Sequence, residues 1–315
     1  MGLRPADGPV VMVVPASDPR WSASATDRTV ASVDAAEEFE VSTLDCRAET
    51  IQGHDDLHRV ADASHINPIT GPLEIRGAQP GSTLSITISA IERQGNPLML
   101  VRPGVTTFEF TQHPALEFPQ VLNESVEVCG VRIPMEPMIG FIATTPQTGE
   151  LQSSGCGVTG GNLDARVLTT GAKVLLPVEI LGAGLFVGDV HLAQGDGELF
   201  LTGVECSASV RLAAEPRPDV QVPGPVIISD DIISVLGDGE SLDEAASVAS
   251  NRAVTLLTDA FELADYDAGF VLSASSHLRV CRFLPNYGSV CRIEIPRDVI
   301  DQLPARSPTG DSLTR

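Results

Sequence analysis

Ser82-Thr83-Leu84-Ser85-Ile86-Thr87-Ile88-Ser89 alternates apolar and hydroxylic side chains with a period of two, the pattern of a strand with one face in a core. Further along, Val126 and Val128, with Val131 and Ile133 beyond Gly130, predict another half-buried strand carrying a bulge. Between such stretches, Gln79-Pro80-Gly81, Arg102-Pro103-Gly104 and Asp196-Gly197 supply backbone reversals. From about residue 29 to 215 the chain keeps this texture, rich in Val, Ile and Thr and broken by Gly and Pro every ten residues or so. A mainly β portion over 1–215, a sandwich or barrel, is predicted. The texture changes after the Pro-rich Glu215 to Pro225 segment. Ser241-Leu242-Asp243-Glu244 reads as a capping box, and Ala245, Val248, Ala249, Leu256, Ala260 and Leu263 form an apolar face behind it. The spacing predicts a helix over about 242–263, a short helix over Ala268 to Ser275, and strands over Leu278 to Leu284 and Val290 to Ile295. Residues 216–315 therefore read as an α+β portion.

The 315 residues suffice for a large hydrophobic core, and the formal net charge of −22 disfavours nucleic acid and anionic membrane as partners. Of the 20 basic side chains only Lys173 is a lysine, so mechanisms that need a Schiff-base or general-base lysine have one candidate. Six cysteines, at 46, 129, 156, 206, 281 and 291, include no C-x-x-C pair and read as mostly buried thiols rather than a zinc ribbon or disulfide scaffold. Met1 to Gly8 has no apolar signal-peptide core, and Ala6 breaks the myristoylation pattern. Apolar runs such as Val10 to Val14 fall far short of the roughly 20 residues of a membrane span. A cytoplasmic protein is expected.

The densest group of chemically capable residues is Gly188-Asp189-Val190-His191-Leu192-Ala193-Gln194-Gly195-Asp196-Gly197-Glu198, directly after the strand-like run Leu181 to Val187. Asp189 and His191 are two apart, so an extended chain projects both from one face, where a carboxylate and an imidazole can share a metal or a proton. The glycines permit a fold tight enough to return Glu198 towards them. The competing reading is an Asp-Gly hairpin turn beside a merely hydrogen-bonded His191; the density of functional groups favours chemistry. Thr159-Gly160-Gly161-Asn162-Leu163-Asp164 is a second glycine-loosened loop ending in a carboxylate. Gly155 to Gly160 fits G-x-G-x-x-G, but without a βαβ context it is not a dinucleotide site. Cys156 reads as an inert thiol, and no Gly-x-Ser-x-Gly elbow or Ser-Ser-Lys setting supports serine catalysis. Asp45, at the end of the strand-like Phe39 to Leu44, and His65, before Asn67, are open between site and structural roles. His54 and His58 flank an acidic pair and read as solvated loop residues, while His113 and His277 have no evident partners.

On Asn67-Pro68-Ile69-Thr70-Gly71-Pro72, Gly77-Ala78-Gln79-Pro80-Gly81, Gly160-Gly161-Asn162-Leu163-Asp164 and above all Gly188-Asp189-Val190-His191 with Gln194-Gly195-Asp196-Gly197-Glu198, the sequence resembles the acetamidase/formamidase family. The resemblance continues through Leu176-Pro177-Val178 and around Leu272 to Val280, covering roughly residues 40 to 300. It implies a jelly-roll-like β-sandwich with a second β portion and a small α/β portion, hydrolysing a short aliphatic amide to carboxylate and ammonia. It also implies a divalent metal, zinc first, with Asp45, Asp164, Asp189 and His191 as ligand candidates and Glu198 as general base or acid. Asn162 or Gln194 would then bind the amide or its oxyanion. Many members carry a histidine shortly before an N-terminal tryptophan, whereas here Asp18-Pro19-Arg20 precedes Trp21; Cys46 and Cys156 also depart from the pattern.

Amide hydrolysis needs a nucleophile at neutral pH, a polarised carbonyl and a protonated leaving group; a metal with an adjacent carboxylate meets these needs in a chain without a credible Ser, Cys or Lys nucleophile. The expected partner is a small amide such as formamide or acetamide. The alternatives are a lactamase opening a small cyclic amide, and a catalytically silent protein that binds a metal or small amide at Asp189 and His191. A homo-oligomer, most simply a dimer, is expected from size and enzyme class.

Overall fold

The computed structural model describes residues 11–62, 65–106, 108–284 and 288–314. The Met1 to Gly8 stretch read for targeting signals lies outside them. The strand predicted from the Ser82 to Ser89 alternation runs over Thr83–Arg93 and lies inside a nine-stranded sheet, between Ala208–Arg217 and Lys173–Pro177. Leu84, Ile86 and Ile88 point into the main core, while Thr87 and Ser89 are half-exposed. Thr83 and Ser85 are buried as well, and the Thr83 hydroxyl donates to the Val220 carbonyl at 2.9 Å.

The full order of that sheet is Met12–Val14, Glu38–Thr43, Ala208–Arg217, Thr83–Arg93, Lys173–Pro177, Val226–Ile228, Ile232–Gly239, Gly288–Pro296 and His277–Leu284. A second sheet of seven strands runs Cys156–Gly157, Gly160–Asn162, Met138–Ala143, Leu185–His191, Ile69–Ile75 and Ala31–Val33, with Glu205–Cys206 paired onto Leu185–His191. Leu84, Ile86, Val174 and Val210 of the first sheet share one apolar cluster with Leu73, Ile139, Ile142 and Val187 of the second. The chain is mainly β, as its sequence predicts. The first sheet passes through the Glu215 to Pro225 segment without a break: Ala208–Arg217 enters it, and Val226–Ile228 joins the same sheet beyond it. What changes there is the packing partner, because the outer strands bury Val226, Val235, Ile293 and Ile295 against helices.

Helix α1 spans Leu242–Phe261 and ends two residues before the predicted limit, at Glu262, whose left-handed φ of 55° closes it. Ser241 caps its start, its hydroxyl accepting from the Glu244 N–H at 3.2 Å. The Glu244 carboxylate reaches past Ser241 and accepts from the Glu240 N–H at 2.8 Å, so the box is displaced by one residue. Helix α2, Asp265–Ser275, starts earlier than expected; α3 (Arg297–Ile300) and α4 (Pro308–Thr314) follow the last strand. The segment read as one bulged strand is instead a hairpin: Ser125–Val128 pairs with Val131–Pro134. Cys129 and Gly130, with φ of 49° and 79°, form a two-residue turn of the kind that matches strand twist. No helix among the described residues is long and apolar enough to cross a membrane.

Ala245, Ala249 and Ala253 let α1 approach the sheet closely, and Gly237 is where it comes nearest: a Cβ there would lie 2.1 Å from the Ala249 nitrogen. Gly237→Ala must push the helix off the sheet, and the expected loss of stability is about 1–3 kcal/mol. Urea unfolding with an unchanged m-value and a lowered midpoint checks this.

Candidate active site

The seven residues of Leu185–His191 are all buried, between Met138–Ala143 on one side and Ile69–Ile75 on the other. Its last residues carry the chemistry. The ladder pairs Ile139 with Val190 and Phe141 with Gly188, which leaves Gly140 beside Asp189. Asp189 is not extended but left-handed, with φ 55°, so the same-face geometry expected from spacing is produced by a local twist instead. His191 pairs with Glu205 across the ladder, which brings a carboxylate from the next strand onto the imidazole.

His191 Nε2 lies 3.0 Å from Glu205 Oε2 and 3.5 Å from Asp189 Oδ1. Two overlapping groups of donor atoms, each within 4.8 Å, form around it: Asp164, Asp189 and His191, and His191, Glu198 and Glu205. His191 is fully buried and Glu198, the most open of the five, is 9% exposed. The other face of the ring is fixed, since Nδ1 meets Gln194 Oε1 while Gln194 Nε2 donates to the Asp164 carbonyl at 2.8 Å. With Nδ1–H donated to the amide oxygen, Nε2 is the ring nitrogen that faces the carboxylates, the one a metal ligand would use. Asn162 Nδ2 donates to Asp164 Oδ2 at 2.8 Å, and Asn67 Nδ2 to Asp189 Oδ2 at 2.9 Å. Each aspartate thus has one oxygen oriented by an amide and the other turned inward.

Those inward atoms, Asp164 Oδ1, Asp189 Oδ1, Glu205 Oε2 and His191 Nε2, are buried without a hydrogen-bond partner. Buried polar atoms are ordinarily satisfied, so the unpaired oxygens of Asp164 and Asp189 beside His191 form a group that could hold a cation. The donor set, imidazole nitrogen with carboxylate oxygens, suits zinc and similar divalent ions. Electrostatics agree. Four buried carboxylates face one nearby guanidinium, Arg282, 3.5 Å from Asp164. Burial pushes the Asp164 carboxyl up to about 7 against the opposing charge of Arg282. Glu198 is held well above the usual carboxylate range by burial and then by Asp164, and Glu205 is raised by burial. Burial opposes a charged His191, yet the Glu205 and Asp189 carboxylates outweigh it and raise the imidazole.

The structure brings Asp164, Asp189, His191, Glu198, Asn162 and Gln194 together as the sequence anticipated. Asp45 lies outside both donor groups: its carboxylate accepts from the Arg47 and Glu49 N–H groups at 2.8 and 2.9 Å. Gln194 is engaged on both sides within the protein, and His65 packs edge-on against Trp21 with ring centroids 4.5 Å apart. Burial raises the Cys156 thiol, consistent with an inert side chain. Glu205, Arg282 and Asn67 escaped sequence reasoning. The signals existed for two of them, a charge between Val204 and Cys206 and another after Val280-Cys281. A bulge between Val280 and Arg282 leaves both Cys281 and Arg282 buried, which alternation does not foretell.

Gly140 was also missed. A Cβ there would lie 2.6 Å from the Asp189 carbonyl and 2.8 Å from both Asp164 Oδ1 and Asp189 Oδ2. Its own carbonyl accepts from the Leu163 and Asp164 N–H groups at 2.8 and 3.2 Å, so the residue both anchors one aspartate and clears room for two. Gly140→Ala is expected to weaken divalent-ion binding at least about tenfold while the folded state persists. Zinc titration alongside far-UV circular dichroism checks both parts.

The acetamidase/formamidase family model matches residues 18–156 and 154–302 of this chain. An acetamidase from Bacillus halodurans superposes with a TM-score of 0.89 at 29% identity, covering 93% of this chain and 99% of that one. A Thermoanaerobacter tengcongensis structure assigned as acetamidase/formamidase superposes equally well, TM-score 0.89 at 26% identity, over 93% and 97% of the two chains. A formamidase-like protein of Schizosaccharomyces pombe is 24% identical over 268 residues, 62% of this chain and 65% of its own length, so this chain spans less than two thirds of that relative. A family match across most of the sequence, on a fold shared nearly end to end with these structures, means that this chain belongs to the acetamidase/formamidase family.

Proposed function

We propose that the chain hydrolyses the C–N bond of a small aliphatic amide, of the formamide or acetamide kind, to carboxylate and ammonia, with a divalent ion, zinc first, at His191. The observation that carries this reading is the buried group Asp164, Asp189 and His191, whose donor atoms lie within 4.8 Å of one another while Asp164 Oδ1 and Asp189 Oδ1 have no hydrogen-bond partner. Asp164, Asp189 and His191 are the proposed ligands, with Glu205 beside the ring; Asp45 is left out because it lies outside both donor groups. Held by these residues, a divalent ion would supply Lewis-acid polarisation of the amide carbonyl and a bound water whose pKa falls from about 15.7 towards 7.

The residues of the chain do the rest. Glu198, as the carboxylate, takes the proton of the attacking water as its oxygen bonds to the carbonyl carbon. It delivers that proton to the amide nitrogen as the C–N bond breaks, so ammonia leaves as a neutral molecule. Gln194 holds the His191 ring in the ligating tautomer, and Asn162 and Asn67 hold the two aspartates at their working angles. Arg282 offsets part of the buried negative charge.

Ammonia release from formamide, acetamide and propionamide, with ring opening of a γ-lactam in parallel, tests the reading on protein as purified, after chelation and after zinc is restored. Turnover of linear amides that disappears with chelation and returns with zinc is expected; absence of turnover in every arm overturns the assignment. Glu198→Gln is expected to lower kcat about 10²- to 10⁴-fold with zinc stoichiometry unchanged, measured by metal analysis of the same preparation. Full activity in that variant removes Glu198 from the mechanism.

A further inference from the structure

We infer that the C-terminal hairpin is a working part of the site: Arg292, by gripping Asp196, positions the loop that presents Glu198 to the acid cluster. This rests on the hydrolytic reading above, in which Glu198 moves the proton. Within the loop two backbone bonds, Glu198 N–H to the Gly195 carbonyl at 3.2 Å and Leu201 N–H to the Glu198 carbonyl at 2.8 Å, close tight turns, but neither ties the loop to the rest of the fold. Gly197, Glu198 and Leu201 have φ of 91°, 43° and 58°, so two non-glycine residues lie in the left-handed region within one short segment. Such a conformation persists where the surroundings impose it.

The restraint comes from the strands His277–Leu284 and Gly288–Pro296, some eighty residues further along the chain. Arg292 is 2% exposed and binds Asp196 through both ends of its guanidinium, Nη1 to Oδ1 at 2.8 Å and Nη2 to Oδ2 at 3.0 Å. Its Nε donates to Glu294 Oε1 at 2.8 Å, which fixes the plane of the fork. A bidentate pair of this kind sets direction as well as distance. Two backbone bonds continue the grip: the Gly197 N–H donates to the Cys281 carbonyl, and the Phe283 N–H to the Gly197 carbonyl, both at 3.1 Å. Arg282, between those two residues, is the guanidinium that faces Asp164. One strand therefore both pins the loop and supplies charge to the cluster, while Asp164, Asp189 and His191 sit on other elements. Loosening Asp196 displaces Glu198 and leaves the proposed ligands in place.

The test uses the full-length, zinc-loaded protein carrying Asp196→Asn, a change of equal shape at a side chain 30% exposed, with Arg292→Lys as the second variant. Hydrogen exchange over residues 195–201 and steady-state kinetics are read on the same preparations. Faster exchange in that segment, kcat lowered about ten- to a hundredfold, KM within about twofold and zinc content unchanged support the inference. Wild-type exchange in Asp196→Asn overturns the clamp, and faster exchange with wild-type kcat overturns its bearing on Glu198. If the wild-type chain itself turns over no amide, the hydrolytic reading falls, while the exchange experiment still decides whether Arg292 holds the loop.

Discussion

Four carboxylates drawn onto one imidazole, out of reach of water, is the arrangement around which the rest of the structure is organised. Desolvation alone makes such a cluster unfavourable by several kcal/mol per uncompensated charge, on the order of magnitude found for buried ions. The fold answers with amide donors at Asn67 and Asn162, with Arg282, and with partial protonation of the most buried acids. Each of these leaves an oxygen or nitrogen aimed at the common centre. A dication at the proposed site would offset this charge more completely than protons do, because it would neutralise it without removing the lone pairs that chemistry needs.

Backbone strain is concentrated in the same place. Asn67, Asp164, Asp189 and Glu198 all adopt left-handed φ, from 43° to 55°. Asn and Asp tolerate this region better than most residues, yet each such position costs about 1–2 kcal/mol relative to ordinary backbone. The sheets on either side of the main core supply the rigidity that keeps these residues there, and Gly140 and Gly203 supply the space. A Cβ at Gly203 would lie 2.5 Å from His191 Nδ1. Side chains are thus brought together as much by atoms that are missing as by bonds that are made.

The strand at Thr83–Arg93, the helix at Leu242–Phe261 and the convergence of Asp189, His191 and Glu198 were all legible in the sequence, because each rests on short-range pattern: alternation, a cap, a glycine-loosened run. Glu205, Arg282 and Asn67 were not, because pairing between strands far apart in sequence puts them in the site. The bulge at Arg282 hides its inward direction from any count by twos. Asp45 lies outside the donor groups for the complementary reason. A carboxylate in an apolar setting looks like a ligand, whereas two local backbone N–H groups suffice to explain its burial.

The nine-stranded sheet also governs how the chain comes into being. Thr83–Arg93 pairs with Lys173–Pro177 and with Ala208–Arg217, and Glu38–Thr43 waits for the latter as well. During synthesis from the N-terminus, Thr83–Arg93 emerges with neither neighbour yet made; Lys173–Pro177 follows about eighty residues later and Ala208–Arg217 more than a hundred. Non-local pairing of this kind folds slowly and leaves strand edges open in the meantime. The edges of Thr83–Arg93 are thus closed only once Val210, paired with Ile91, has been translated, so the central sheet is completed late in synthesis.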